Sequence, residues 1–293
     1  MRASGSIKKY TAFIMALLFA LLFAGCRQDP HQDPDDVVVI GDSTQAPSTA
    51  APTAAASDTP EPSSVPTETP APTDVMQNPG GPVIYLTFDD GPYKYTDEVL
   101  DILASYNVKA TFFTIGDQIL RYPEPAKRIV EEGHCLACHT QSHEMDICYK
   151  SVDAFVGDIA KWRQTVINAV GYDAGAYVLR FPGGTTNTTI GGRKGRDPFV
   201  AAANNAGYKV FDWNMGINDR WLAGNTEGLP KIDYFWKSYL ETYAAFKNTN
   251  PLILIIHDTE PVSVELLPRI IEDLIAKGFT FGTLDSVNNN YLM

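Results

Sequence analysis

From Val83 onward, short apolar or β-branched runs alternate with segments of helical periodicity, and this alternation constrains the fold more than any other feature of the chain. Val83-Ile84-Tyr85-Leu86 reads as a buried strand. Lys109–Ile115 is a second, its aromatic and β-branched residues bounded by Asn107 and Gly116. Further strands are predicted at Ala176–Phe181, Tyr208–Trp213, Leu252–His257 and Phe279–Leu284. Thr96–Leu103 has a Thr cap, acids in its first turn and helical apolar spacing. Other helices are predicted at Ala126–Glu132, Val152–Ala169, Phe199–Ala206, Tyr234–Phe246 and Val264–Lys277. Such an order implies parallel strands under helices, in an open sheet or a closed barrel. Ligands in these α/β folds gather at the carboxyl ends of the strands. Asp89-Asp90, Arg180 and His257 all fall at predicted strand ends.

The first eighty of the 293 residues cannot share that core. Thr11 to Ala24 is an apolar run preceded by Arg2, Lys8 and Lys9. It is too short for an ordinary span of about 20 residues, and its basic, apolar, small-residue order matches an export signal over residues 1–25. Leu22-Phe23-Ala24-Gly25-Cys26 resembles a bacterial lipobox, in which the Cys becomes the first mature residue and carries the lipid. Cys26 is therefore expected to anchor an extracytoplasmic protein to the cell membrane without spanning it. The rest of the segment, residues 26–80, is rich in Pro, Thr, Ser and Ala and has few large apolar groups, so it is expected to be a disordered tether. Taking its −8 and the +3 of the leader out of the chain's −12 leaves −7 on residues 81–293, the folded domain. An acidic domain without a basic stripe argues against a nucleic-acid partner.

Within the domain, two groups of residues carry chemistry. Asp89 and Asp90 end the first strand before a Gly-Pro turn, and alternation along a strand would point their side chains in different directions. His139 and His143 are four residues apart; on a helical turn they would share one face. Two imidazoles and one carboxylate suit a borderline divalent metal and leave positions open for water and substrate. Asp90 can complete that set, while Asp89 takes a proton from the water that the metal acidifies. His257 is the candidate to protonate a leaving amine or alkoxide. His134, directly after Gly133, reads as structural.

These residues resemble the NodB-like polysaccharide deacetylases, carbohydrate esterase family four. The resemblance covers nearly all of Val83 to Leu284. It is carried by Thr87-Phe88-Asp89-Asp90-Gly91-Pro92, His139-Thr140-Gln141-Ser142-His143, Arg180-Phe181-Pro182-Gly183-Gly184 and Ile255-Ile256-His257. It implies a distorted (β/α) barrel of about seven parallel strands. It also implies Asp89 as general base held by Arg180, Asp90, His139 and His143 as metal ligands, and His257 as general acid. The metal implied is Zn²⁺, with Co²⁺, Mn²⁺ or Ni²⁺ compatible with the same donors. Gly183 stands where the family usually has an aromatic residue; its N–H can still serve an oxyanion, with Pro182 beside it and Trp213 lining the acyl pocket. The family's Asp-x-x-Asp-Trp motif is reduced to Gly216-Ile217-Asn218-Asp219-Arg220, leaving Asp219 to tune His257. The expected substrate is an acetylated polysaccharide. The tether favours N-acetylglucosamine or N-acetylmuramic acid of peptidoglycan over chitooligosaccharides or acetyl-xylan.

Two other readings compete. Cys135-Leu136-Ala137-Cys138-His139 matches a c-type haem attachment string, with His139 as axial ligand. A glycan-binding protein that has lost turnover would keep the fold and degrade the fourth motif. Three thiols, Cys135, Cys138 and Cys148, also admit a Cys138–Cys148 disulfide clamping the histidine loop.

Overall fold

The computed structural model describes residues 80–220, 226 and 228–293; the leader, Cys26 and the Pro/Thr-rich segment lie outside them. Strands β1 (Val83–Asp89), β2 (Thr111–Thr114), β3 (Cys135–Cys138), β4 (Val178–Leu179), β5 (Lys209–Val210), β6 (Met215–Gly216) and β7 (Leu252–His257) form one parallel path in the order β5-β4-β3-β2-β1-β7-β6. An eighth strand, β8 (Thr280–Phe281), pairs with the start of β1, whose end pairs with β2. The two outer strands, β5 and β6, are separated in sequence only by Phe211–Asn214, so the chain itself joins the sheet's edges and curls it into a distorted barrel.

Alternation along the strands fills both faces. Phe112, Leu136, Cys138, Leu252, Leu254 and Ile256 belong to the main core under the helices. Their neighbours Phe113, Cys135, Ala137 and Ile253 belong to a smaller cluster with Val178, Phe211 and Leu284. Strands buried on both faces must be apolar throughout, which is why they read as unbroken runs. The long helix Val152–Val170 starts on Ser151, whose hydroxyl accepts from Ala154 N–H at 3.0 Å, and stops at Gly171 with φ 94. Its buried stripe is Phe155, Asp158, Ile159, Trp162, Thr165 and Val166.

Several expectations need correction. Strand β3 and the helices Gly116–Arg121 and Met145–Cys148 were not anticipated, nor was β6. Strands expected over six residues at 176–181, 208–213 and 279–284 shrink to two residues each. Such short strands are defined by their neighbours' hydrogen bonds more than by their own residues.

Cys135 and Cys138 lie on β3 three positions apart, hence on opposite faces, one in each core cluster. One haem cannot reach both thiols, which removes the haem reading. Cys135, Cys138 and Cys148 are all free and buried, so the Cys138–Cys148 clamp is not formed. Burial pushes Cys135 and Cys148 up to about 12, which makes them inert core thiols.

Candidate metal centre and active site

The site is built at the carboxyl ends of β1, β3, β4 and β7. Asp89 is the register partner of His257, on the neighbouring strand. After Asp89 the chain turns through Asp90 in the left-handed region, φ 72, with Asp90 N–H donating to Phe113 carbonyl at 3.2 Å. This turn, rather than strand alternation, aims the two carboxylates, and both face the same imidazole. His139 Nε2 is 3.7 Å from Asp89 Oδ2 and 3.3 Å from Asp90 Oδ1. Gly91 is required at the next position, because a Cβ there would sit 2.2 Å from Asp258 Oδ2.

His139 and His143 are not on a helical turn. His139 follows the last residue of β3, and the loop to Glu144 contains two left-handed residues, Thr140 at φ 70 and His143 at φ 57. Polar residues in sequence cannot continue a buried strand, so the chain leaves the sheet there. Thr140 Oγ1 accepts from His143 N–H at 3.0 Å and closes the turn. Asp158 Oδ2, reaching from the long helix, accepts from Gln141 N–H at 2.8 Å and Ser142 N–H at 3.2 Å. Gly116 N–H and Asp117 N–H donate to the carbonyls of Thr140 and Gln141 at 3.1 and 2.9 Å.

Held this way, the two rings lie 4.9 Å apart at their centres, and His143 Nε2 is also 3.3 Å from Asp90 Oδ1. His139 Nδ1 donates to Arg180 carbonyl at 2.9 Å, which leaves Nε2 with its lone pair. Burial lowers both imidazoles, His143 to about 3, so they stand neutral and able to ligate. Asp90 Oδ1 is buried and has no hydrogen-bond partner. The three donor atoms lie within 4.8 Å of one another. Donors bonded to a tetrahedral Zn²⁺ at about 2.0–2.1 Å stand about 3.3 Å apart, the separation Asp90 Oδ1 has from each ring. These residues therefore fit a divalent ion.

Arg180 is fully buried and its guanidinium is committed. Nη1 donates to Asp89 Oδ1 at 2.6 Å and Thr87 Oγ1 at 2.8 Å, Nε to Phe211 carbonyl at 3.0 Å, and Nη2 to Asp212 carbonyl at 3.2 Å. It lies over the Phe113 ring, 4.0 Å from the centroid, with Trp213 on its other contact at 5.4 Å. Across the site, Asp219 Oδ1 accepts from His257 Nδ1 at 2.8 Å. Its Oδ2 accepts from His257 N–H and Ser263 Oγ, each at 2.6 Å. Burial pushes Asp219 up, but the charge and hydrogen bonds of His257, with Ser263, hold it below the usual carboxylate range. His257 Nε2 is 4.0 Å from Asp90 Oδ2, which Arg220 also contacts.

The Gly183 turn is occupied by other groups. Gly183 has φ 71, and a Cβ on it would lie 2.4 Å from Asn187 Nδ2 and 3.1 Å from Met145 Cε. Asn187 in turn donates to Pro182 carbonyl at 3.1 Å, as does Tyr149 hydroxyl at 2.9 Å. An aromatic side chain at 183 would displace Asn187, which is why glycine fits here. Trp213 is half-buried against Gly184 and Arg180.

Sequence reasoning missed Asp158, Ser263 and the Arg220 contact. Asp158 had a readable signal, a carboxylate on the apolar stripe of an amphipathic helix. His134 is structural: Ala110 N–H donates to its Nδ1 at 3.1 Å, and burial lowers it to about 4.

A family profile described as polysaccharide deacetylase matches residues 76–211. The putative polysaccharide deacetylase YheN of Bacillus subtilis is 29% identical over 208 residues, 71% of this chain and 69% of that one. The peptidoglycan-N-acetylglucosamine deacetylase of Bacillus cereus is 30% identical over 199 residues, 68% of each chain. Among solved structures, the catalytic domain of a peptidoglycan N-acetylglucosamine deacetylase from Eubacterium rectale superposes with a TM-score of 0.62 at 29% identity. It covers 78% of this chain and 98% of that one. By this identity and this shared fold, the chain belongs to the polysaccharide deacetylase family.

Proposed function

We propose that this chain is a metal-dependent deacetylase acting on an acetylated polysaccharide, with the N-acetyl groups of peptidoglycan amino sugars as its substrate. One observation carries the reading: a buried, unpartnered carboxylate oxygen faces two neutral imidazoles, with a carboxylate–arginine pair on one side and a carboxylate–histidine pair on the other. The substrate class is supported by similar proteins named as deacetylases of peptidoglycan N-acetylglucosamine and N-acetylmuramic acid.

Asp90, His139 and His143 would hold the ion, Zn²⁺ first among candidates. When bound, it polarises the acyl carbonyl and makes water a stronger nucleophile. Asp89, fixed by Arg180, accepts a proton from the attacking water. Gly183 N–H is the candidate donor to the oxyanion, and Trp213 with Pro182 bounds the acyl group. His257, oriented through Nδ1 by Asp219, delivers a proton from Nε2 to the leaving nitrogen. Cys26 anchors the domain outside the cytoplasmic membrane through its lipid, and residues 27–80 set its reach.

Acetate release from peptidoglycan, chitooligosaccharide and acetyl-xylan fragments tests the activity. Release from the peptidoglycan fragments is expected, and its absence from all three would leave a glycan-binding role. Cys26→Ser should move the protein from the membrane fraction to the soluble one.

A further inference from the structure

The least expected residue at the site is Arg220, standing where the family resemblance leads one to expect tryptophan. Its guanidinium contacts Asp90 Oδ2, and 45% of its side chain is exposed. The other site arginine offers nothing to a ligand, since Arg180 is fully buried and bonded to Asp89, Thr87 and two carbonyls. Arg220 is thus the site's accessible cation among the described residues that contact Asp89 or Asp90.

Its neighbours fix where it acts. Asp219, the preceding residue, holds His257, and both His257 Nε2 and Arg220 approach the same Asp90 oxygen. The guanidinium therefore stands on the side from which the leaving nitrogen is protonated. A divalent ion held by Asp90, His139 and His143 would share the Asp90 charge and so weaken the Arg220–Asp90 attraction. A planar fork of donors, no longer matched by its own carboxylate, suits a carboxylate on the ligand. The −7 charge of the domain supplies no general attraction for anionic polymer, so preference for an anion has to be local.

Resting on the deacetylase reading above, we infer that Arg220 determines specificity by receiving a carboxylate that the sugar carries on the ring carbon next to the acetamido group. Peptide-free muramic acid, with its lactyl ether, has that chemistry; glucosamine does not. A peptide stem converts the lactyl carboxylate to an amide and removes the charge.

The test compares peptide-free muramic-acid-containing glycan strands with the same strands converted to lactyl amides, using kcat/KM for acetate release. Wild-type protein should prefer the carboxylate form. Arg220→Gln should lower the carboxylate-to-amide ratio by about tenfold to a hundredfold, the span for a charge-assisted bond, whereas Arg220→Lys, which keeps the charge but not the fork, should fall between the two. Binding of both saccharides to Asp89→Asn protein, by calorimetry, should show the same preference without turnover. An unchanged ratio in Arg220→Gln, with acetate still released, overturns the inference and leaves the deacetylase reading intact. Wild-type protein that releases acetate from neither strand nor from chitooligosaccharide overturns both.

Discussion

Asp158→Ala is the sharpest probe of how the histidine loop is held. The carboxylate is 4% exposed and accepts two backbone N–H groups, those of Gln141 and Ser142. Each buried donor left without a partner costs about 1–3 kcal/mol. Both residues are only partly buried, so water recovers some of this, and the net loss is about 2 kcal/mol. If the loop must be ordered to present both imidazoles, that energy appears in metal affinity as about a thirtyfold weaker Kd. Such a loss lies in the range for removing an outer partner of a metal ligand, about 10–100-fold. Asp158→Asn keeps an acceptor oxygen for both N–H groups, which share Oδ2, and should lose less than Asp158→Ala, mainly the assistance of the charge. Co²⁺ titration of metal-stripped protein by calorimetry, with Tm measured in parallel, separates two roles. A lowered Tm with Co²⁺ affinity within twofold of wild type would make Asp158 an ordinary core residue and refute the loop-holding argument.

Two further outcomes follow from the site. Asp219→Ala removes the acceptor of His257 Nδ1 and leaves His257 N–H and Ser263 Oγ unpaired; kcat for acetate release should fall by about 10²–10⁴ while Co²⁺ binding stays within a few fold, and equal loss of both would contradict the assignment. Burial pushes the Asp258 carboxyl from 3.8 up to about 7, against the hydrogen bond from Thr96, with His257 and Asp89 as the nearby charges. The folded state then holds a proton that the unfolded chain releases, so this contribution is full below pH 3.8 and is lost as pH rises to about 7. Urea denaturation should show a slope of about 1 kcal/mol per pH unit in that window, which Asp258→Asn abolishes; an unchanged slope in the variant would place the titration elsewhere.

The alternation of strands with helices and the reacting residues were readable in the sequence for different reasons. Strands buried on both faces left continuous apolar runs, as at Leu252–His257, and the helix at Val152–Val170 carried its own cap and stop. Asp89, Asp90, Arg180 and His257 are costly to bury singly, so their appearance at predicted strand ends pointed to one shared place, whereas His139 and His143 were legible only as a pair four residues apart. Strand Cys135–Cys138 was hidden because its four residues include no β-branched side chain and overlap a haem-like string. Three two-residue strands were read too long and Met215–Gly216 was missed, because pairing partners define such strands. The aim of the two carboxylates depended on Asp90's left-handed backbone, which an Asp-Gly-Pro string suggests only as a turn. Asp158 and Ser263 act through hydrogen bonds whose partners lie 16, 17 and 44 residues away, a separation no local pattern records.

The most direct measurement is a stoichiometric Co²⁺ titration of metal-stripped protein, read both as bound ion and as acetate release. Release should climb linearly to one equivalent and then stop, and His139→Ala should bind no ion in that range. Full release from stripped protein, or one tightly bound ion in His139→Ala, would contradict a catalytic ion held by Asp90, His139 and His143.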